Sequence, residues 1–230
     1  LIGFSGNTGN SFAPHIHFEY RDNKSVPLNP LTMAFELEDQ IMPVARELAV
    51  IPLSQNALVN ASPLTQIFPL FRDKNGVYHF PDTVSVFGEF GFAMNVVDKR
   101  EGTNNVYQFH RAELMVDGNL EFDLSYDRIP FNQGKFAKTM IEYDLKRKNL
   151  GEFQKLYRLP EHRKLSIHSS DKLGILGLAP GVHSVEIRIF DAHGNKTIIK
   201  GTVAATFPMT LEASEIFRDD KVVTLALSPK

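Results

Sequence analysis

The 230-residue sequence has no cysteine. That removes disulfides and thiolate metal sites, and it says little about compartment, because envelope proteins also do without cysteine. Long apolar runs are missing too. None approaches the roughly 18 residues that a membrane-spanning helix needs, so the chain offers no candidate transmembrane segment. Charge of either sign is not in excess: 25 Lys and Arg stand against 27 Asp and Glu, for a net charge of −2. Such a balance gives no reason to expect nucleic acid or an anionic membrane as partner. The short basic clusters Lys146-Arg147-Lys148 and Arg163-Lys164 read as solvated surface charge. No loop carries the Gly-Lys-Ser/Thr ending or the dinucleotide glycine spacing of a phosphate cradle. What remains is a composition of 43% hydrophobic and 23% charged residues, typical of a globular chain with room for one large domain or two ordinary ones.

The most informative stretch runs from Gly3 to Tyr20. At its centre is Pro14-His15-Ile16-His17-Phe18-Glu19. In an extended segment side chains alternate between faces, so His15, His17 and Glu19 point one way and Ile16, Phe18 and Tyr20 the other. The apolar face can pack on a core while the other presents two imidazoles, one suited to a metal and one to acid/base work. On spacing alone the same pattern also describes the wet face of a half-buried strand. Gly6, Asn7, Gly9 and Asn10 suit a tight loop leading into it.

The run Thr8-Gly9-Asn10-Ser11-Phe12-Ala13-Pro14-His15-Ile16-His17-Phe18-Glu19, followed by Asn29-Pro30, resembles the C-terminal end of the lysostaphin/LytM-type zinc endopeptidase domain. The likeness covers residues 1–32. Phe12 and Ala13 stand where that family has Thr and Gly, so the loop before the histidines is expected to differ in shape. The resemblance implies that His17 is a zinc ligand and His15 the catalytic histidine beside it. It also implies peptidoglycan peptide as substrate and a cell-envelope location, periplasmic or secreted. In that family the remaining ligands, a His and an Asp of an H-x-x-x-D motif, and a further active-site His lie upstream. The other six histidines here (His79, His110, His162, His168, His183 and His193) form no such motif. The expectation is therefore the C-terminal part of a longer zinc metalloendopeptidase, inactive by itself. Two other readings stay open: a zinc-free, peptidase-like scaffold or activator of wall hydrolases, and a binding or spacer module.

The fold class expected is all-β. Residues 1–32 would be the final strands of the peptidase domain and 33–43 an acidic linker. Residues 44–206 would form an antiparallel sandwich resembling bacterial immunoglobulin-like domains, and 207–230 would open a further β module. Period-two patterns predict strands at Val44–Pro52 (with a short helix as the alternative) and across 84–96, where Val84, Val86, Phe90, Phe92, Met94 and Val96 share parity and a bend is expected at Gly88 or Gly91. Asp117-Gly118-Asn119 predicts a hairpin between 106–116 and 120–126. Val185, Ile187 and Ile189 alternate with polar neighbours, and Asp191–Asn195 turns the chain into Lys196–Ala204. Helical spacing is confined to 136–145, with Phe136, Met140 and Tyr143 on one side. Asp123, Asp127, Glu142 and Asp144 are carboxylates that read as surface acids rather than a catalytic pair. Tyr107, Phe109 and Tyr157 read as core rather than a glycan-stacking face.

Overall fold

The structure is a computed structural model that describes residues 4–7, 9, 12–33, 38–160, 162, 165–206, 211–218 and 223–229, the last two segments as backbone. Strand accounts for 42% of the chain and helix for 10%, so the fold is all-β. In chain order, β1 (Tyr20–Arg21) and β2 (Pro27–Leu28) pair as a small hairpin, followed by one helical turn, α1 (Pro30–Met33). Then come β3 (Val44–Pro52), β4 (Leu58–Val59), β5 (Gln66–Pro69), β6 (Phe71–Arg72), β7 (Tyr78–His79), β8 (Val84–Phe87), β9 (Phe90–Lys99) and β10 (Val106–Tyr107). The hairpin β11 (Arg111–Val116) and β12 (Asn119–Ser125) follows, closed by the two residues Asp117 and Gly118. Short helices α2 (Gly134–Ala137) and α3 (Tyr143–Arg147) lead to β13 (Gln154–Lys155). A long hairpin, β14 (Gly181–Phe190) and β15 (Lys196–Ala205), and a further one, β16 (Leu211–Arg218) and β17 (Val223–Pro229), complete the series.

Two sheets dominate. The smaller has the order β10-β9-β3-β5, with β13 also on β9. The larger runs β12-β11-β14-β15-β7-β6, with β8 beside β15 and β4 beside β8. Pairing is antiparallel except where the short strands β7 and β8 run parallel to β15. One shared core joins the sheets: Leu48, Val50, Phe92 and Met94 from the smaller pack with Leu114, Phe122, Ile187 and Val203 from the larger. Alternation in β11, β12 and β14 places Ala112, Leu114, Phe122, Leu124, Val185, Ile187 and Ile189 in this core, as the sequence pattern predicts.

The opposite face of the smaller sheet is covered as well. Ala49, Ile51 and Ala93 pack with Leu145, Phe153 and Tyr157 in a second cluster. This corrects the reading of 84–96 as one strand with one buried face. Gly88 has φ +71°, a left-handed conformation that cannot continue a strand. The chain therefore changes sheets there: β8 joins the larger and β9 the smaller. Beyond the break both parities of β9 are buried, because residues 141–159 lie over the odd one.

The single helix expected over 136–145 is also corrected. Ile141 and Glu142 are extended, and Ile141 bridges Gln154. Met140 is fully buried, whereas Tyr143 is 69% exposed. A short amphipathic run has little helical stability of its own, and here the sheet edge takes the middle of it.

Among the described residues, 21–29 meet the β-rich region around Asp127–Phe131. Asn29 donates its backbone N–H to Asp127 O at 2.8 Å, and Leu28 bridges Arg128. Arg128 pairs with Asp22 at 3.3 Å, and the Arg21 guanidinium lies 4.9 Å from the Phe131 ring centre. Within the expected linker, residues 39–43 pack on the β14–β15 turn. Asn195 Nδ2 donates to Asp39 O at 2.8 Å and Thr197 Oγ1 to Pro43 O at 2.5 Å.

Candidate functional site

The strand expected at His15–Tyr20 is present only as a bridge from His15 to Gly6 and as the first residue of β1. Ile16 and Phe18 are 63% and 54% exposed. The apolar face thus faces solvent, because no sheet among the described residues lies beneath it. The polar side is nevertheless organised. His15 N–H donates to Gly6 O at 3.1 Å, and His15 Nδ1 donates to Ala13 O at 2.9 Å. That bond assigns the ring proton to Nδ1 and the lone pair to Nε2. His17 Nε2 donates to Glu19 Oε1 at 2.7 Å, leaving the lone pair on Nδ1. Glu19 also accepts from Arg21. The His17 and then the Arg21 hydrogen bonds hold its carboxyl below the usual range. A carboxylate on one imidazole nitrogen fixes the ring and raises the basicity of the other, the common second partner of a metal-binding histidine.

A second constellation, which the sequence reading passed over, gathers where 39–43, the end of β9 and the β14–β15 turn meet. Asp191 Oδ1 accepts the backbone N–H groups of His193 and Asn195 at 2.8 and 2.9 Å, which builds the turn. Asn195 Nδ2 donates to Asp191 Oδ2 at 2.7 Å. His193 Nδ1 lies 3.7 Å and Arg100 Nε 3.5 Å from Asp39 Oδ2, and Arg100 Nη2 is 3.5 Å from His193 Nε2. One ligand atom each from Asp39, Asp191 and His193 fall within 4.8 Å of one another. Asp98 shares the parity of Met94 and Val96 and so faces the larger sheet. Its carboxyl is pushed up to about 7, first by burial and then by the charges of Asp191 and Asp39. In the sequence Asp191 and His193 read only as turn residues, and Asp39 is remote from them. Nothing short of the fold brings the three together.

Most of the other histidines fasten structure. His79 in β7 binds Asp73 of the preceding turn at 2.9 Å, His183 in β14 binds Asp117 of the β11–β12 turn at 2.6 Å, and His110 binds Asp127 at 2.9 Å across the open end of the β11–β12 hairpin. His162 Nδ1 accepts the N–H of Leu159 at 3.0 Å. The carboxylates weighed for catalysis are engaged likewise. Asp123 accepts the backbone N–H and hydroxyl groups of Ser169 and Ser170. Glu142 accepts the Tyr157 hydroxyl at 2.8 Å, and Asp144 lies 3.8 Å from Arg147. Phe109 and Tyr157 are core residues.

No family model, curated protein or solved structure compared with this chain matches it.

Proposed function

We propose that this chain is the C-terminal part of a cell-envelope zinc metalloendopeptidase that hydrolyses peptide bonds in peptidoglycan. The observation that carries the reading is the pair His15 and His17 in its motif, each imidazole held by a local acceptor, Ala13 O and Glu19. His17, oriented by Glu19, would hold the metal. His15 would stabilise charge or move a proton at the substrate carbonyl. Zinc in such sites needs three protein ligands and an open position for water. His17 is one, and among the described residues the only metal-ligand cluster lies elsewhere, at Asp39, Asp191 and His193. Among the described residues none completes a zinc site around His17, so we derive no step through the ion. We infer inactivity of the isolated 230-residue chain from the same shortfall.

The incomplete ligand set is also what favours the second reading, a zinc-free scaffold or activator of wall hydrolases, or a sandwich used for binding or spacing. The test is zinc analysis of the parent protein, carrying whatever sequence precedes Leu1, as wild type and as His17→Ala. The enzyme reading expects the variant to hold one equivalent of zinc fewer than the wild type, together with wall hydrolysis abolished by His15→Ala. A parent protein without zinc, or one whose zinc and hydrolysis survive both changes, would overturn it in favour of the scaffold.

A further inference from the structure

The buried charges beside the β14–β15 turn do not close on themselves. Asp98 lies in the field of two further carboxylates, Asp39 and Asp191, and of one guanidinium, Arg100, which is 3.5 Å from Asp39 Oδ2. Asp39 has a side chain 1% exposed and Asp98 is 5% exposed as a residue. Asp39 Oδ2 and Asp98 Oδ1 are buried without any hydrogen-bond partner. Isolated buried carboxylate oxygens are costly, and proteins pair them or place a cation on them. The pairing available here is poor. The contacts of Asp39 Oδ2 to Arg100 and His193 are 3.5 and 3.7 Å, against about 2.7–2.9 Å for a charge-assisted hydrogen bond.

From this geometry we propose that Asp39, Asp191 and His193 form a structural site for one divalent transition-metal ion, with Asp98 as the carboxylate behind it. The ligand atoms lie within 4.8 Å of each other, so a small inward movement brings them to the roughly 2.0–2.2 Å radius of a zinc or manganese shell. Two carboxylates and one imidazole are a donor set for such ions rather than for soft, thiolate-seeking ones. Each ligand rests on a part the fold already fixes. Asp191 is held by the turn it builds, and Asp39 Oδ1 accepts the N–H of Ile41 at 3.1 Å, leaving Oδ2 directed at the cluster. The bound ion would join 39–43 to the far end of the β14–β15 hairpin. It would thereby fix the course of the chain between the histidine motif and the β-rich core. This site shares no residue with the proposed peptidase centre.

The 230-residue chain, stripped with EDTA, is titrated calorimetrically with Zn²⁺ and with Mn²⁺. One equivalent of at least one ion is expected on the wild type and equally on His17→Ala. His193→Ala and Asp39→Asn should weaken it by more than about tenfold, the scale on which even the partners of metal ligands act. Circular dichroism checks that both variants fold. In the unaltered chain, Mn²⁺ should broaden the amide resonances of 39–41 and 191–195, which keeps the test independent of any variant. Absence of saturable binding, affinity indifferent to both substitutions, or broadening centred on His17 would each overturn the site. Loss of binding in His17→Ala alone would place the metal in the peptidase motif instead.

Discussion

The Tyr157 ring lies against the backbone of Gly91 in the middle of β9, so close that a Cβ at position 91 would stand 2.6 Å from ring carbon Cδ1. The same side would also meet Leu53 Cδ1 at 3.0 Å. Tyr157 is 2% exposed, and its hydroxyl donates to Glu142 at 2.8 Å. It therefore cannot give way without leaving both core and partner. This contact is how the segment after α3 covers the second face of the smaller sheet.

Gly91→Ala should therefore destabilise the β-rich core by about 1–3 kcal/mol, the usual scale of overpacking. Urea denaturation followed by circular dichroism measures it. An unchanged midpoint would mean that Tyr157 does not sit on Gly91 as described. Tyr157→Leu in the Gly91→Ala background should recover part of the loss by clearing the ring.

The second expectation concerns pH. His168 donates Nδ1–H to Asp123 O at 2.6 Å, its Nε2 is buried without a partner, and its ring packs edge-on to Phe122. Burial, with Arg158 and His162 nearby, lowers its pKa from 6.5 to about 4. The unfolded chain thus takes up a proton on this residue at a higher pH than the folded chain does. Stability is fully present above 6.5 and is lost as pH falls toward 4, by at most ~3 kcal/mol. Asp98 acts in the opposite sense: its raised value makes the folded state bind a proton first, so it gains stability as pH falls through about 7. His168→Asn keeps a donor for Asp123 O and removes only the histidine contribution. Urea midpoints at pH 7 and pH 4.5 should differ less in the variant than in the wild type. An equal difference would dismiss His168 as the source.

Hydrogen exchange is the third measurement. Amides of β3, β9, β11, β14 and β15 lie in paired strands over a shared core and should exchange only by large-scale opening. The described residues of 4–19 contribute one bridge, with Phe4, Phe12, Ile16 and Phe18 all exposed. Fast exchange is expected there, with intermediate protection at 26–29, where the chain is bonded to Asp127 and Arg128. Protection of 15–19 equal to that of β9 would mean that the histidine motif belongs to the same cooperative unit as the core.

Local chemistry alone determined the class and most of the long strands. Alternating Val185, Ile187 and Ile189 needed a buried face. Asp117-Gly118 needed a tight hairpin, and Asp191–Asn195 needed a turn, all within a few residues of each other. The histidine motif is legible as a contiguous pattern, but the strand expected there forms only the His15–Gly6 bridge and the first residue of β1. What lay beyond the sequence depends on contacts between distant segments. Period two cannot tell whether a second face meets water or another layer, and at β9 only the fold of 141–159 over Ala93 and Gly91 decides it. The helical spacing at 136–145 gave way because Ile141 found a strand partner at Gln154, a pairing with no local signature. The carboxylate–histidine cluster is the clearest case. Asp39, Asp98 and the turn pair Asp191 and His193 are ordinary polar residues in three separate places, and it is the docking of 39–43 on the β14–β15 turn that buries their charges together.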